Sequence, residues 1–115
     1  MNTEYKPWVG VDLDGTLARY DGWNGSDHVG DPIPLMVLRV LDLLKQGVEV
    51  RILTARVCSI QPPDVADAAR EAIEKWCERH LGQRLKVTAE KDYMMEALYD
   101  DRAIPVEFNT GRLLT

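Results

Sequence analysis

Asp12-Leu13-Asp14-Gly15-Thr16 sets two carboxylates one residue apart, directly after the apolar run Trp8-Val9-Gly10-Val11. Successive side chains on a strand point to opposite faces. Both acids can serve one site only if the chain leaves the strand there, and Gly15 permits that turn. The carboxyl end of a buried strand is where α/β folds gather their ligands. A second acid pair, Asp100-Asp101, follows Leu98-Tyr99, and Thr54 closes the run Val48–Leu53 just before Ala55-Arg56. Crowded carboxylates repel one another and shift toward protonation, which a cation relieves. Oxygen donors without His or Cys suit Mg²⁺, whose shell a substrate phosphate commonly completes. In such a site one carboxylate can attack phosphorus. Another can protonate the leaving oxygen and then deprotonate water. A hydroxyl and a lysine can hold the charge that develops on the phosphoryl oxygens.

The elements that must position these groups alternate. Trp8–Asp12 reads as the first strand and Leu35–Gln46 as a helix, with Met36, Val37, Val40, Leu41 and Leu44 at helical spacing and Gly47 as its stop. Val48–Leu53 is the second strand. Asp64 offers an N-cap for a long helix over Val65–Leu81, whose stripe is Ala69, Ala72, Ile73, Trp76 and His80, with Gly82 as the stop. Arg84–Thr88 reads as a third strand, Lys91–Ala97 as a short helix, Leu98–Asp101 as the end of a fourth strand, and Ile104–Phe108 as a fifth strand that Pro105 confines to an edge. Alternating strands and helices predict a three-layer α/β/α, Rossmann-like fold around a mostly parallel sheet of about five strands. Parallel strands place all their carboxyl ends on one edge, so Asp12, Asp14, Thr54, Asp100 and Asp101 converge, with Lys91 opening the helix that leads to the second acid pair. The stretch 18–34, rich in Gly, Asp and Pro, forms a long loop beside this edge. Trp23 and His28 are its candidates for substrate contact, and packing of the loop is the alternative role of each.

The 115 residues predict one domain over 1–115, with room for a flap at 18–34 but for no separate cap domain. Nineteen acidic against 14 basic residues leave a net charge of −5, which argues against broad binding of nucleic-acid backbone. No apolar run approaches the roughly 20 residues of a membrane helix, and Met1–Lys6 lacks the apolar core of a secretory signal. The expectation is a cytoplasmic protein that keeps Cys58 and Cys77 reduced. Cys77 is expected in the core and Cys58 as a small filler near the site. His80 reads as a packed or helix-end histidine.

Asp12-Leu13-Asp14-Gly15-Thr16-Leu17, Ile52-Leu53-Thr54-Ala55-Arg56, Lys91 and Tyr99-Asp100-Asp101-Arg102 together resemble, in order and over nearly the whole chain, the haloacid dehalogenase superfamily of Mg²⁺-dependent phosphohydrolases. The resemblance implies that Asp12 is the nucleophile and Asp14 the general acid and base. It implies that Thr54, Ala55, Arg56 and Lys91 bind the phosphoryl group. Mg²⁺ would be held by the Asp12 carboxylate, the Asp14 backbone carbonyl and one of Asp100 and Asp101, with Asp100 preferred. The remaining acid would orient metal-bound water or Lys91. Arg56 faces either substrate or an acid of the site. The short flap matches the capless members, whose open sites accept exposed phosphates: a nucleotide, a nucleic-acid end, a phosphoprotein, or a small phosphomonoester closed in by an oligomer. Two other classes compete. A receiver-like phospho-acceptor domain shares the acids, Thr and Lys, but carries its acid pair and its phosphorylated Asp on different strands. A non-catalytic phosphate- or Mg²⁺-binding module is the other, and the intact set of Asp12, Asp14, Thr54, Lys91 and the second acid pair argues against it.

Overall fold

The computed structural model describes residues 6–114. Four parallel strands, β1 (Trp8–Asp12), β2 (Glu49–Leu53), β3 (Lys86–Thr88) and β4 (Met95–Tyr99), lie in the order β3-β2-β1-β4. Two helices, α1 (Pro34–Lys45) and α2 (Pro63–Leu81), complete the α/β, Rossmann-like architecture. The central strands are the most buried, and every residue of β1 except Asp12 is buried. Val11 of β1, Ile52 of β2 and Val87 of β3 sit side by side in register. They join Val40 of α1 and Ala69, Ile73, Trp76, Cys77 and Leu81 of α2 in one apolar cluster.

Both helices start on a proline in the first turn, where a missing N–H costs nothing. Pro62, and not Asp64, occupies the cap position of α2, and Asp64 lies within its first turn. Cys77 is fully buried, and burial pushes its thiol up to about 11, so it behaves as a small core residue. The His80 ring packs on Trp76 at 4.7 Å, as a packed histidine should.

Two further expectations are corrected. The sheet has four strands: Ile104–Phe108 instead enters a small antiparallel turn, joined by a bridge between Val106 and Leu113. The segment Lys91–Ala97 is not a helix. Its first residues form a turn, and Met95 already starts β4, which pairs with β1 through Trp8↔Met95 and Val11↔Tyr99. The physical reason lies around Gly10. A Cβ on Gly10 would lie 3.0 Å from Leu98 Cδ1, 3.2 Å from Met95 Sδ and 3.3 Å from the Trp8 ring. These side chains close over the bare backbone of β1, and that packing outweighs the helix propensity of Met, Glu, Ala and Leu. The indole N–H of Trp8 donates to Asp92 Oδ1 at 2.8 Å, and the Arg51 guanidinium lies 4.5 Å from the Trp8 ring. A short extended segment and a stacked Trp–Arg pair thus stand where a helix was expected.

The loop over 18–34 has a closed stem. Ala18 bridges Pro32, Arg19 N–H donates to the Asp31 carbonyl, and Ile33 N–H to the Leu17 carbonyl. Trp76 Nε1 donates to the Gly30 carbonyl at 2.9 Å and ties the stem to α2. Gly30 passes so close to Arg19 that a Cβ there would lie 2.1 Å from the Arg19 carbonyl oxygen. That obstacle is backbone, so Gly30→Ala must spread the stem. The expected cost is that of an overpacked core position, about 1–3 kcal/mol, read as a lower unfolding midpoint in urea; an unchanged midpoint would contradict the closed stem.

Candidate functional site

Asp12 ends β1, and the chain turns at once: Leu13 is fully buried and its carbonyl accepts the N–H groups of Thr16, Leu17 and Ala18. Gly15 carries φ +88°, and a Cβ on it would lie 2.8 Å from Asp101 Oδ2. Only glycine allows both the turn and this approach of the second acid pair. β4 runs parallel to β1, and Asp100 and Asp101 follow directly after its last residue, so the two acid pairs meet at one edge.

Thr16 stitches them together. Its hydroxyl donates to Asp101 Oδ1 at 2.8 Å and accepts the Asp101 N–H at 3.0 Å, and it lies 3.4 Å from Asp12 Oδ2. Asp100 Oδ1 accepts the Arg102 N–H at 2.9 Å. One carboxylate oxygen from each of Asp12, Asp100 and Asp101 lies within 4.8 Å of the others, an arrangement that can hold a metal ion. Burial raises the Asp12 carboxyl from its ordinary value near 3.8 to about 7, helped by a hydrogen bond with Asp101 and by the charges of Asp100 and Asp101. The Thr16 hydroxyl holds Asp101 below the usual carboxylate range. One acid of the cluster therefore keeps a proton near neutrality while its neighbour is ionised, and a bound cation would displace that proton.

Asp14 is occupied differently. Arg56 Nε donates to Asp14 Oδ2 at 2.9 Å and Arg56 Nη2 to Asp14 Oδ1 at 2.7 Å, a two-pronged ion pair. Arg56 is 7% exposed, and its Nη1 donates to the carbonyls of Gly25, Ser26 and His28. The Trp23 ring lies 5.1 Å from the same guanidinium. Arg56 is set in a short 3₁₀ turn over Ala55–Val57, started by Thr54, whose buried hydroxyl accepts the Arg56 N–H at 3.2 Å.

A cleft of about 660 Å³ opens on this edge. Asp12, Asp14, Gly15, Thr54, Ala55, Arg56 and Asp101 line it, as do Tyr20, Trp23, Gln61 and Arg102. The structure thus brings together Asp12, Asp14, Thr54, Ala55, Arg56 and Asp101 in one cleft, with Asp100 beside Asp101 in the acidic cluster. Lys91 is the exception. It is exposed and does not line the cleft, because the helix expected to aim it is absent and the chain leads instead to Asp92 beneath Trp8. Sequence reasoning missed three contributors. Thr16 lay within the Asp-x-Asp-Gly-Thr block, and its position four residues after Asp12 was the available signal. Arg102 adjoined the second acid pair without an evident role, and nothing local distinguished Gln61. His28 gives its carbonyl to Arg56 and does not line the cleft, while Trp23 is 57% exposed and forms a wall of it. Cys58 is half-buried and does not line it.

No protein-family model and no curated protein sequence matches the chain. Its fold is similar to a solved structure described as a conserved protein from Bacteroides thetaiotaomicron, with a TM-score of 0.54 and 19% identity, over 85% of this chain and 78% of that one. The likeness supports the α/β fold described above. Among the described residues, no helix is long and apolar enough to cross a membrane.

The raised Asp12 pKa makes a stability prediction. A carboxyl whose folded pKa lies above its unfolded value stabilises the fold at low pH, and that contribution is lost as pH rises from about 4 to about 7. With chelator present, Asp12→Asn removes this loss. At pH 8 its melting temperature should exceed that of the unsubstituted chain by on the order of 5 °C, the shift given by about 1 kcal/mol after discounting a half-buried group for solvent screening. At pH 4 the two should melt together. Equal melting at both pH values would show that Asp12 is not held protonated by its neighbours.

Proposed function

We propose that this chain hydrolyses phosphomonoesters through an aspartyl-phosphate on Asp12. One observation carries the reading: Asp12 stands in a cluster with Asp100 and Asp101, and Asp12 and Asp101 line a cleft together with Asp14 and Thr54. The donor set suits a hard divalent ion such as Mg²⁺, since it is all carboxylate oxygen, and burial together with the neighbouring acids raises the Asp12 carboxyl to about 7. Asp12, Asp100 and Asp101 would hold that ion, which when bound neutralises charge on the phosphoryl oxygens.

In the first step Asp12 Oδ bonds to phosphorus as the bond to the ester oxygen breaks, and Asp14 supplies the proton that the leaving alkoxide takes up. In the second, Asp14 removes a proton from water, whose oxygen bonds to phosphorus and releases the Asp12 carboxylate and inorganic phosphate. Thr54 offers its hydroxyl to the phosphoryl group. The arginines that line the cleft are Arg56 and Arg102. Arg56 already spends its donors on Asp14 and the loop, so Arg102 is the cation left for the phosphate, in the role the family resemblance gave to Lys91. The open cleft, with Tyr20 and Trp23 exposed on its rim, suits an accessible phosphate such as that of a nucleotide or a nucleic-acid end. The net charge of −5 disfavours long contacts with nucleic-acid backbone.

A phospho-acceptor domain that takes a phosphoryl group and keeps it is the second reading. It is favoured by the guanidinium on both Asp14 oxygens, which leaves no free base to activate water. Phosphate release with and without Mg²⁺ separates the two, across an aryl phosphate, nucleoside monophosphates, sugar phosphates and 5′- or 3′-phosphorylated oligonucleotides. The phosphatase reading expects turnover that chelator and Asp12→Asn each abolish. It expects Asp14→Asn to slow turnover by roughly 10²–10⁴-fold and to accumulate phosphoprotein. Stable phosphoprotein without turnover in the unsubstituted chain selects the acceptor reading. Full activity in Asp12→Asn overturns both.

A further inference from the structure

We infer that Arg56 is a positioning residue that makes Asp14 and the 20–28 loop one mechanical unit, so that release of Asp14 and opening of the Trp23 wall are a single event. The inference rests on the phosphatase reading only for its catalytic consequence. A guanidinium has five N–H groups in a fixed planar fork. Here Nε and Nη2 are directed at the two oxygens of Asp14, and Nη1 at three loop carbonyls, with Ser26 at 2.9 Å. The guanidinium carbon also lies over the Trp23 ring, 5.1 Å from its centroid. Asp14 reaches residues 25–28 through this guanidinium, and among the described residues it makes no other side-chain hydrogen bond.

The rest of the loop supports the same division. Its stem is closed by backbone bonds at residues 17–19 and 31–33 and by Trp76 on Gly30, so it does not need Arg56. The tip carries exposed residues, with Tyr20, Asp21, Gly22, Trp23 and Asn24 all open to solvent. Arg56 is its inward anchor. Because the fork is rigid, it cannot turn to free Asp14 and still meet the three carbonyls. An Asp14 that must leave the fork to reach a leaving oxygen or a water therefore loosens the loop. A ligand that moves Trp23 correspondingly loosens Asp14.

The tryptophans make this measurable without substrate. Trp8 is 1% exposed and Trp76 7%, whereas Trp23 is 57% exposed, so collisional quenching of the intrinsic fluorescence reports Trp23. Acrylamide is the suitable quencher, since its neutrality spares it repulsion from the acidic edge. Asp14→Asn withdraws the charge that holds the fork, although Asp14 does not touch Trp23. Its quenching constant should rise toward that of a fully exposed indole, because Trp23 is already 57% exposed and loses the guanidinium beside it. Arg56→Lys, which keeps the charge but loses the fork, should give a similar rise. The double variant should match either single one, because both cut the same link. Trp23→Phe should abolish the response. If Asp14→Asn fails to fold, Asp14→Glu displaces the carboxylate by one methylene and carries the same expectation. Quenching unchanged by the Asp14 substitution, or effects that add in the double variant, would overturn the coupling whether or not the chain proves to be a phosphatase. Given turnover, Arg56→Lys should lower kcat by a larger factor than it raises KM; a change in KM alone would make Arg56 a binding residue instead.

Discussion

The arrangement of the whole edge depends on holding Asp12 and Asp101 together, since two carboxylates do not approach unaided. Three features allow it. β4 pairs in parallel with β1, which puts residues 12 and 101 on the same edge although 88 residues separate them. Gly15 leaves empty the space a Cβ would take from Asp101 Oδ2. The Thr16 hydroxyl donates to Asp101 and accepts its backbone N–H, so this one short side chain fixes the second acid pair to the first. Burial and the residual repulsion together raise the Asp12 carboxyl to about 7. A site organised this way has a built-in demand for positive charge.

Asp14 meets a separate demand with a separate partner. Its carboxylate is oriented by Arg56 and stands apart from the three-acid cluster, so two acids one residue apart are given different environments. Divergent environments are what two carboxylates need if they are to play different parts in one reaction. The turn after Leu13 accomplishes this by sending the chain off the strand between them. Arg56 is itself placed by Thr54, whose hydroxyl accepts the N–H of the 3₁₀ turn. The end of β2 thereby orients the group that the end of β1 requires.

What was legible in the sequence were features with local physical causes. β1, α1 and α2 showed apolar runs or helical spacing bounded by prolines and glycines, and they lie within a residue or two of their expected limits. The convergence of acids was legible because a parallel sheet leaves no alternative edge. Residues 91–97 were misread because Met94, Met95, Ala97 and Leu98 are good helix formers, while the side chain they must cover, Trp8, lies more than 80 residues earlier in the chain. Ile104–Phe108 had strand-like residues but only a short turn to pair with. Arg56 could be assigned to the site but not to a partner, because its partners come from residue 14 and residues 25–28 and none lies on its own element.

The second face of the sheet explains where Lys91 goes. With no helix after β3, the chain must return to the start of β4 in a few residues, and Asp92 is captured on the way by the Trp8 indole and by Arg51 at 3.5 Å. Trp8 is thereby buried to 1% exposure under a cation that also pairs with Glu49 at 2.5 Å. The stack fixes the amino end of β1, as Thr16 fixes the acids at its carboxyl end. A short crossover fixed at Asp92 cannot also supply a helix to carry Lys91 into the cleft. Positive charge must then reach the acidic edge from elements already there, and Arg102, beside the second acid pair and on the cleft wall, is placed to bring it.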